Sequence, residues 1–170
     1  MAVLPVKVFA AVLFSDEEAL SKALLELEAA LGNADYRGKS IPFDVTDYYE
    51  KEMSAPLFRK VISFTNLMDP SRLPELKNKC IEIEKTHLNA SGGRAVNIDA
   101  GYLDFDKVVL ASTKQGPYKI YMTGCIWADL TLHYEKGHYT PFAWSFADFK
   151  DGRYERDFLR IREIYKKQAK

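Results

Sequence analysis

Lys and Arg together number 24 in this 170-residue chain, as do Asp and Glu, so the net charge is zero. That balance removes the sequence-independent pull on a phosphate backbone expected of a dedicated nucleic-acid binder. Apolar residues at 47% and aromatics at 13% exclude a disordered chain, and the length places residues 1–170 in one domain with a sizeable core.

Cys80 and Cys125 belong to no paired motif, whereas a secreted disulfide scaffold or a zinc module needs more cysteines or closely spaced ligands. Reduced thiols in a cytoplasmic protein are the expectation. The apolar run Val8 to Phe14 is seven residues long, too short to span a bilayer and without a signal-peptide layout, so no membrane attachment is expected.

That run forms part of a first strand, Val6 to Phe14. Ser15 and Glu18 then read as a capping box, each side chain able to satisfy an orphan amide of a helix's first turn. Leu20, Leu24, Leu27 and Leu31 give the apolar stripe, and Gly32 is the stop signal. A short strand at Ser40 to Phe43 follows. Thr46 can cap a brief helix carrying Tyr48, Tyr49, Glu52 and Met53, with Pro56 helping to end it.

A long strand is expected from Phe58 to Leu67. Asp69-Pro70 opens a second main helix, since Pro is tolerated in a first turn, and its stripe is Leu73, Leu76, Cys80 and Ile83. Strands at Ala95 to Asp99, Lys107 to Thr113 and Tyr118 to Thr123 come next. The Gln115-Gly116-Pro117 turn reads as joining the last two in a hairpin. Ile126 to Tyr134 is a further strand with a turn at Gly137. The irregular aromatic run Thr140 to Phe149 suggests an ordered lid. Tyr154, Phe158, Ile161 and Tyr165 mark a closing amphipathic helix. The order predicts an α+β domain with a mostly antiparallel sheet, a ferredoxin-like (split βαβ) first half, added hairpin strands and a C-terminal helix.

Strand alternation puts Asn97 and Asp99 on one face, opposite Val96 and Ile98, with Asp99-Ala100-Gly101 supplying turn chemistry. In the strand from Ile126, the same logic puts Asp129 and His133 opposite Leu130 and Leu132. Asn97, Asp99 and Asp129 could hold a divalent cation. Alternatively Asp99 and Asp129 could act as base and orienting partner, with His133 beside them. The plainer alternative makes these residues strand ends and a half-exposed strand histidine. Lys114 and Lys119 flank the Gly116-Pro117 turn, and two adjacent cations invite an anion unless both are simply solvated. Asp47 and Glu52 could border the same surface. Gly38-Lys39-Ser40 suggests a P-loop, but the required earlier glycine is Asn33, and Pro42 follows where a helix should begin.

Beyond these patterns, the chain resembles an uncharacterised family of short prokaryotic proteins, domain of unknown function 4416. The resemblance covers nearly the whole chain. It rests on Phe43-Asp-Val-Thr-Asp-Tyr-Tyr-Glu-Lys-Glu-Met53, Val96-Asn-Ile-Asp-Ala-Gly-Tyr-Leu103, Val109-Leu-Ala-Ser-Thr-Lys114, Gly124 to Leu132 and Trp144 to Phe149. It implies no established activity. The family's polar positions coincide with Asp47, Glu52, Asn97, Asp99, Lys114 and Asp129, which implies one shared site. The family pattern has Arg where this chain has Lys119, which trades a bidentate grip on an anion for a point charge.

The resulting expectation is a cytoplasmic domain that binds a small anionic molecule, a phosphorylated metabolite or nucleotide among the options, with or without a divalent cation. The alternative is a non-catalytic module that meets a protein partner or a second copy through the aromatic run and the last helix.

Overall fold

In the computed structural model, which describes residues 2–170, the strand Val6–Phe14 is buried at every position. A strand can be so only if both faces of its sheet are covered. The chain runs β1 (Val6–Phe14), α1 (Glu17–Leu31), β2 (Ala34–Arg37), β3 (Ile41–Pro42), α2 (Glu50–Met53), β4 (Phe58–Met68) and α3 (Leu73–Thr86), the last entered through a 3-10 turn, Pro70–Arg72. It continues β5 (Val96–Leu103), β6 (Lys107–Ser112), β7 (Lys119–Thr123), β8 (Ile126–Glu135), β9 (His138–Pro141), α4 (Ala147–Lys150) and α5 (Glu155–Gln168).

Alternation along β1 divides the core. Val8, Ala10, Val12 and Phe14 pack against Leu20, Ala23 and Leu27 of α1 and Leu73, Leu76, Cys80 and Ile83 of α3. Phe9 and Ala11 pack on the other face against Phe158, Ile161 and Tyr165 of α5. The sheet is therefore the middle of three layers. Its path is β2-β4-β1-β5-β6-β8-β7, with β3 on β4 and β9 on β8, and every pairing is antiparallel. The part β2-β4-β1-β5, with α1 and α3 on one face, is the expected split βαβ arrangement, and the α+β class holds.

Some local expectations are corrected. Asp16, not Ser15, caps α1, its carboxylate accepting the Glu18 amide at 3.0 Å, while the Ser15 hydroxyl donates to the Met53 carbonyl. The strand β2 was not legible, and it is short and half exposed. Gly38-Lys39-Ser40 lies between two strands, as its sequence context implies. The largest change concerns the hairpin. β6 and β7 do not pair, because β8 lies between them and takes β7 through the turn at Gly124-Cys125.

Lys7 is buried on the α5 face of β1. Its ammonium pairs with Asp35 of β2 and donates to the Phe64 carbonyl and to Gln168 Oε1 of α5, both at 2.7 Å. One buried charge thus joins β1, β2, β4 and α5.

Gly101 is not a turn. It sits inside β5, where the β5–β6 ladder has only three rungs, Gly101↔Leu110, Tyr102↔Val109 and Leu103↔Val108. Before Gly101, β5 stays with β1, with Asp99 opposite Ala11 and Asn97 opposite Leu13. β6 meanwhile follows β8 as far as Ser112↔Trp127. The two strands fork at Gly101. A Cβ there would lie 2.1 Å from the Val109 carbonyl oxygen and 3.0 Å from Leu110 Cα, so glycine is required by space. Gly101→Ala should destabilise the fold by about 1–3 kcal/mol through forced backbone displacement, read as a lower urea midpoint.

Candidate functional site

Where β5 leaves β6, the Ile98 backbone is bonded by α3 side chains. The Ile98 amide donates to Glu84 Oε1 at 2.6 Å, and Lys77 Nζ donates to the Ile98 carbonyl at 2.9 Å. Lys77 and Glu84 are both buried. They occupy the same helix face as Leu73, Leu76, Cys80 and Ile83, spaced so that they project with those apolar residues toward the sheet. Charged residues on a core stripe were the available sequence signal, and reading only the apolar members missed it.

From Glu84 a polar chain crosses the gap. Arg94 NH1 lies 3.6 Å from Glu84 and donates to Asn97 Oδ1 at 2.8 Å. The rest of its guanidinium grips Glu52 as a fork, Nε to Oε1 at 2.7 Å and NH2 to Oε2 at 2.9 Å. That geometry is the strong form of an ion pair. It holds the Glu52 carboxyl below the usual glutamate range and raises Arg94. Asn97 Nδ2 donates to Asp99 Oδ2 at 3.1 Å, and Arg59 NH1 donates to the same oxygen at 2.9 Å. Arg59 Nε lies 3.2 Å from Asp148 Oδ2 but out of line for a hydrogen bond, so that buried nitrogen has no bonded partner. Asp148 also accepts from the Tyr154 hydroxyl at 2.9 Å. Burial alone would lower Arg59, but Asp99 and Asp148 outweigh it and the net shift is upward.

The opposite wall belongs to the diverging strands. Lys119 Nζ donates to Ser112 Oγ at 2.9 Å and lies 3.6 Å from Asp129 Oδ2. Burial pushes the Asp129 carboxyl up, and Lys119 opposes that only in part. Burial also raises Glu84, against Lys77 and the Ile98 amide. Lys114 Nζ sits 4.9 Å from the centre of the Tyr48 ring, and Lys119 Nζ sits 5.7 Å from that of Phe146. Between the walls is a cleft of about 400 Å³.

Of the residues the sequence singled out, Asn97, Asp99, Lys114, Lys119 and Asp129 line this one cleft. Glu52 stands behind it and fixes Arg94. Asp47 does not join them, lying instead on a separate surface groove with Glu50 and Pro56. His133 is also elsewhere, for a physical reason. The β6–β8 register shifts between Val108 and Val109, where Leu132 and Leu130 are their partners. The extra residue, Thr131, puts Leu130 in the α1/α3 core and Leu132 in the α5 core. Alternation is thereby inverted, and His133 turns to the face away from Asp129. It sits 3.6 Å from Glu135.

Asn97, Asp99 and Asp129, read from the sequence as candidate cation ligands, each already face a cationic side chain. Asp99 is bound by Arg59 and Asp129 faces Lys119. Among the described residues no three His, Cys, Asp or Glu side chains come together as metal ligands. The apolar stripe of the last helix docks on the sheet, with Phe158, Ile161 and Tyr165 buried there.

A family model described as a domain of unknown function (DUF4416) matches residues 4–165. No curated protein and no solved structure matches the chain.

Arg59 is the residue on which this wall depends. Replacing it with Met removes the cation between two carboxylates and should cost about 3–5 kcal/mol in urea unfolding, as for other broken buried pairs. A loss below about 1 kcal/mol would mean that Asp99 and Asp148 are held by something else.

Proposed function

We propose that this chain, a member of the domain of unknown function (DUF4416) family, binds a small phosphorylated or carboxylated molecule in the cleft at the β5–β6 fork. The observation that carries this reading is the charge on one wall. Lys114 and Lys119 lie beside the same cleft, and among the described residues Lys114 has no carboxylate within ion-pair distance. Arg94 is already satisfied by Glu52, and Arg59 by Asp99 and Asp148. An anion bridging the two lysines would replace water with charge-assisted hydrogen bonds. Lys77, which lines the same cleft with its ammonium on the Ile98 carbonyl, adds a third positive charge behind it.

Asp129 is the acid best placed to exchange a proton with such a ligand, since burial favours its neutral form. Asp99, tied to Arg59 and Asn97, would orient rather than react. Binding alone accounts for the geometry, and catalysis would require Asp129 to reach the ligand. A cytoplasmic setting is consistent with two unpaired cysteines, of which Cys125 is exposed. Among the described residues no helix is long and apolar enough to cross a membrane.

A second reading, association with another copy, has one observation behind it. The sheet ends at β7, and on that edge strand Ile120 is 72% and Tyr121 59% exposed. Apolar side chains on an unpaired edge favour pairing with another chain. Should this reading hold, wild-type protein sediments as a dimer and Ile120→Lys as a monomer. A monomeric wild type removes it.

Sulfate, which stays a dianion across the range, tests the anion reading by titration calorimetry. Lys114→Ala and Lys119→Ala should each weaken it roughly ten-fold, the scale of one charge-assisted hydrogen bond. The pH dependence has a definite sign. Asp129 and Glu84 keep their protons to higher pH than free carboxyls, so lowering the pH removes negative charge from the cleft. Sulfate should therefore bind more tightly as the pH is lowered through the range where these carboxyls take up protons, and Asp129→Asn should flatten much of that dependence. Equal binding by wild type and both lysine variants would refute the proposal.

A further inference from the structure

The cleft has a neighbour. A lobe of about 330 Å³ shares Tyr48, Tyr49, Asp99, Lys114 and Phe146 with it and adds Phe43, Arg59 and Asp148. The first lobe carries more of the charged side chains, and the second is the more apolar, with four aromatic rings in its wall. Two of its rings are left open to solvent, Tyr48 at 65% and Phe146 at 50% exposure. Exposed aromatic faces beside a cavity are the usual platform for stacking a flat ring.

The polar groups of this lobe are specific in kind. Asp99 and Asp148 each accept hydrogen bonds from the protein only through Oδ2. Among the described residues, neither Oδ1 receives a donor. Arg59, 96% buried by its 4% exposure, lines the same lobe with its Nε unbonded. Two free carboxylate oxygens among aromatic rings call for a planar group that presents N–H donors, because an aliphatic or purely accepting ligand would leave those acceptors unmatched. Lys114 belongs to both lobes. A ring in the aromatic lobe and an anion at the lysines can therefore be parts of one molecule.

We propose that the ligand is a nucleoside phosphate, its amino-bearing base between Tyr48 and Phe146 with N–H groups toward Asp99 and Asp148, and its phosphate at Lys114 and Lys119. This rests on the anion reading above and adds the ring to it. Pockets of a few hundred Å³ with aromatic walls and a few fixed polar groups are typical of such small-molecule sites.

The test compares inorganic phosphate, ribose 5-phosphate, adenosine 5′-monophosphate and guanosine 5′-monophosphate by calorimetry on the full chain. At least one nucleotide should bind roughly ten-fold more tightly than ribose 5-phosphate, the gain expected for one stacked base. Tyr48→Ala and Phe146→Ala alter exposed side chains that the fold does not need. Each should erase most of that gain, read as the ratio of nucleotide to ribose 5-phosphate affinity in the same variant, because the rings also touch Lys114 and Lys119. If the nucleotides bind no better than ribose 5-phosphate, or if neither aromatic substitution matters, the base site is overturned while anion binding stands. If none of the four probes binds, both readings fall.

Discussion

The parting of β5 from β6 at Gly101 is the constraint on which the rest of the site depends. A sheet that continued its ladder past Leu110 would close the gap with backbone hydrogen bonds and leave nowhere for side chains to enter. Because the strands separate, the buried backbone of Ile98, left unpaired by β6, must find other partners, and Lys77 and Glu84 supply them from the helix layer behind. The same parting gives the cleft its opposite walls, one from β5 and α3 and the other from β6, β7 and β8. Gly101 sets where this happens, since only a residue without a side chain lets Val109 approach so closely.

The charges that line the opening are arranged for position more than for stability. A buried ion pair rarely stabilises a protein beyond what well-packed apolar residues would, since desolvation offsets most of the attraction. What such a pair does enforce is geometry. Arg59, held by Asp99 and Asp148 and lying over the rings of Phe43 and Phe149, is fixed from several directions at once. A guanidinium suits that role because it is planar, weakly hydrated and always charged. On the other wall, Lys114 and Lys119 lie against aromatic rings and keep compact ammonium groups beside the cleft.

Much of this was legible in the chain. The alternation of Val96 to Asp99 announced a strand with a polar face, and the stripes of α3 and α5 gave their buried sides correctly. Asn97, Asp99, Lys114, Lys119 and Asp129 were singled out, and they do lie together. The missing parts share one cause, which is that local pattern does not specify pairing partners. Gln115-Gly116-Pro117 looks like a hairpin turn whether or not its flanking strands bond to each other. His133 looks aligned with Asp129 unless the extra residue at Thr131 is known. Asp99-Ala-Gly101 has turn composition, yet the glycine answers to the close approach of the next strand at Val109, a contact that composition alone does not reveal. Phe146 and Asp148 reached the site only through the path of the segment after β9.

The bond between Lys7 and Gln168 spans 161 residues, and this bears on the protein during its own synthesis. β1 leaves the ribosome first among these elements and α5 last. The α1/α3 side of the sheet has all its strands once β8 has emerged. Phe9, Ala11, Val61 and Leu110, by contrast, present a wet apolar surface until Phe158, Ile161 and Tyr165 arrive to cover it. A nascent chain stalled before α5 is therefore a half-covered sheet with an unsheltered lysine. The window in which the molecule needs protection from its neighbours ends only with its final helix.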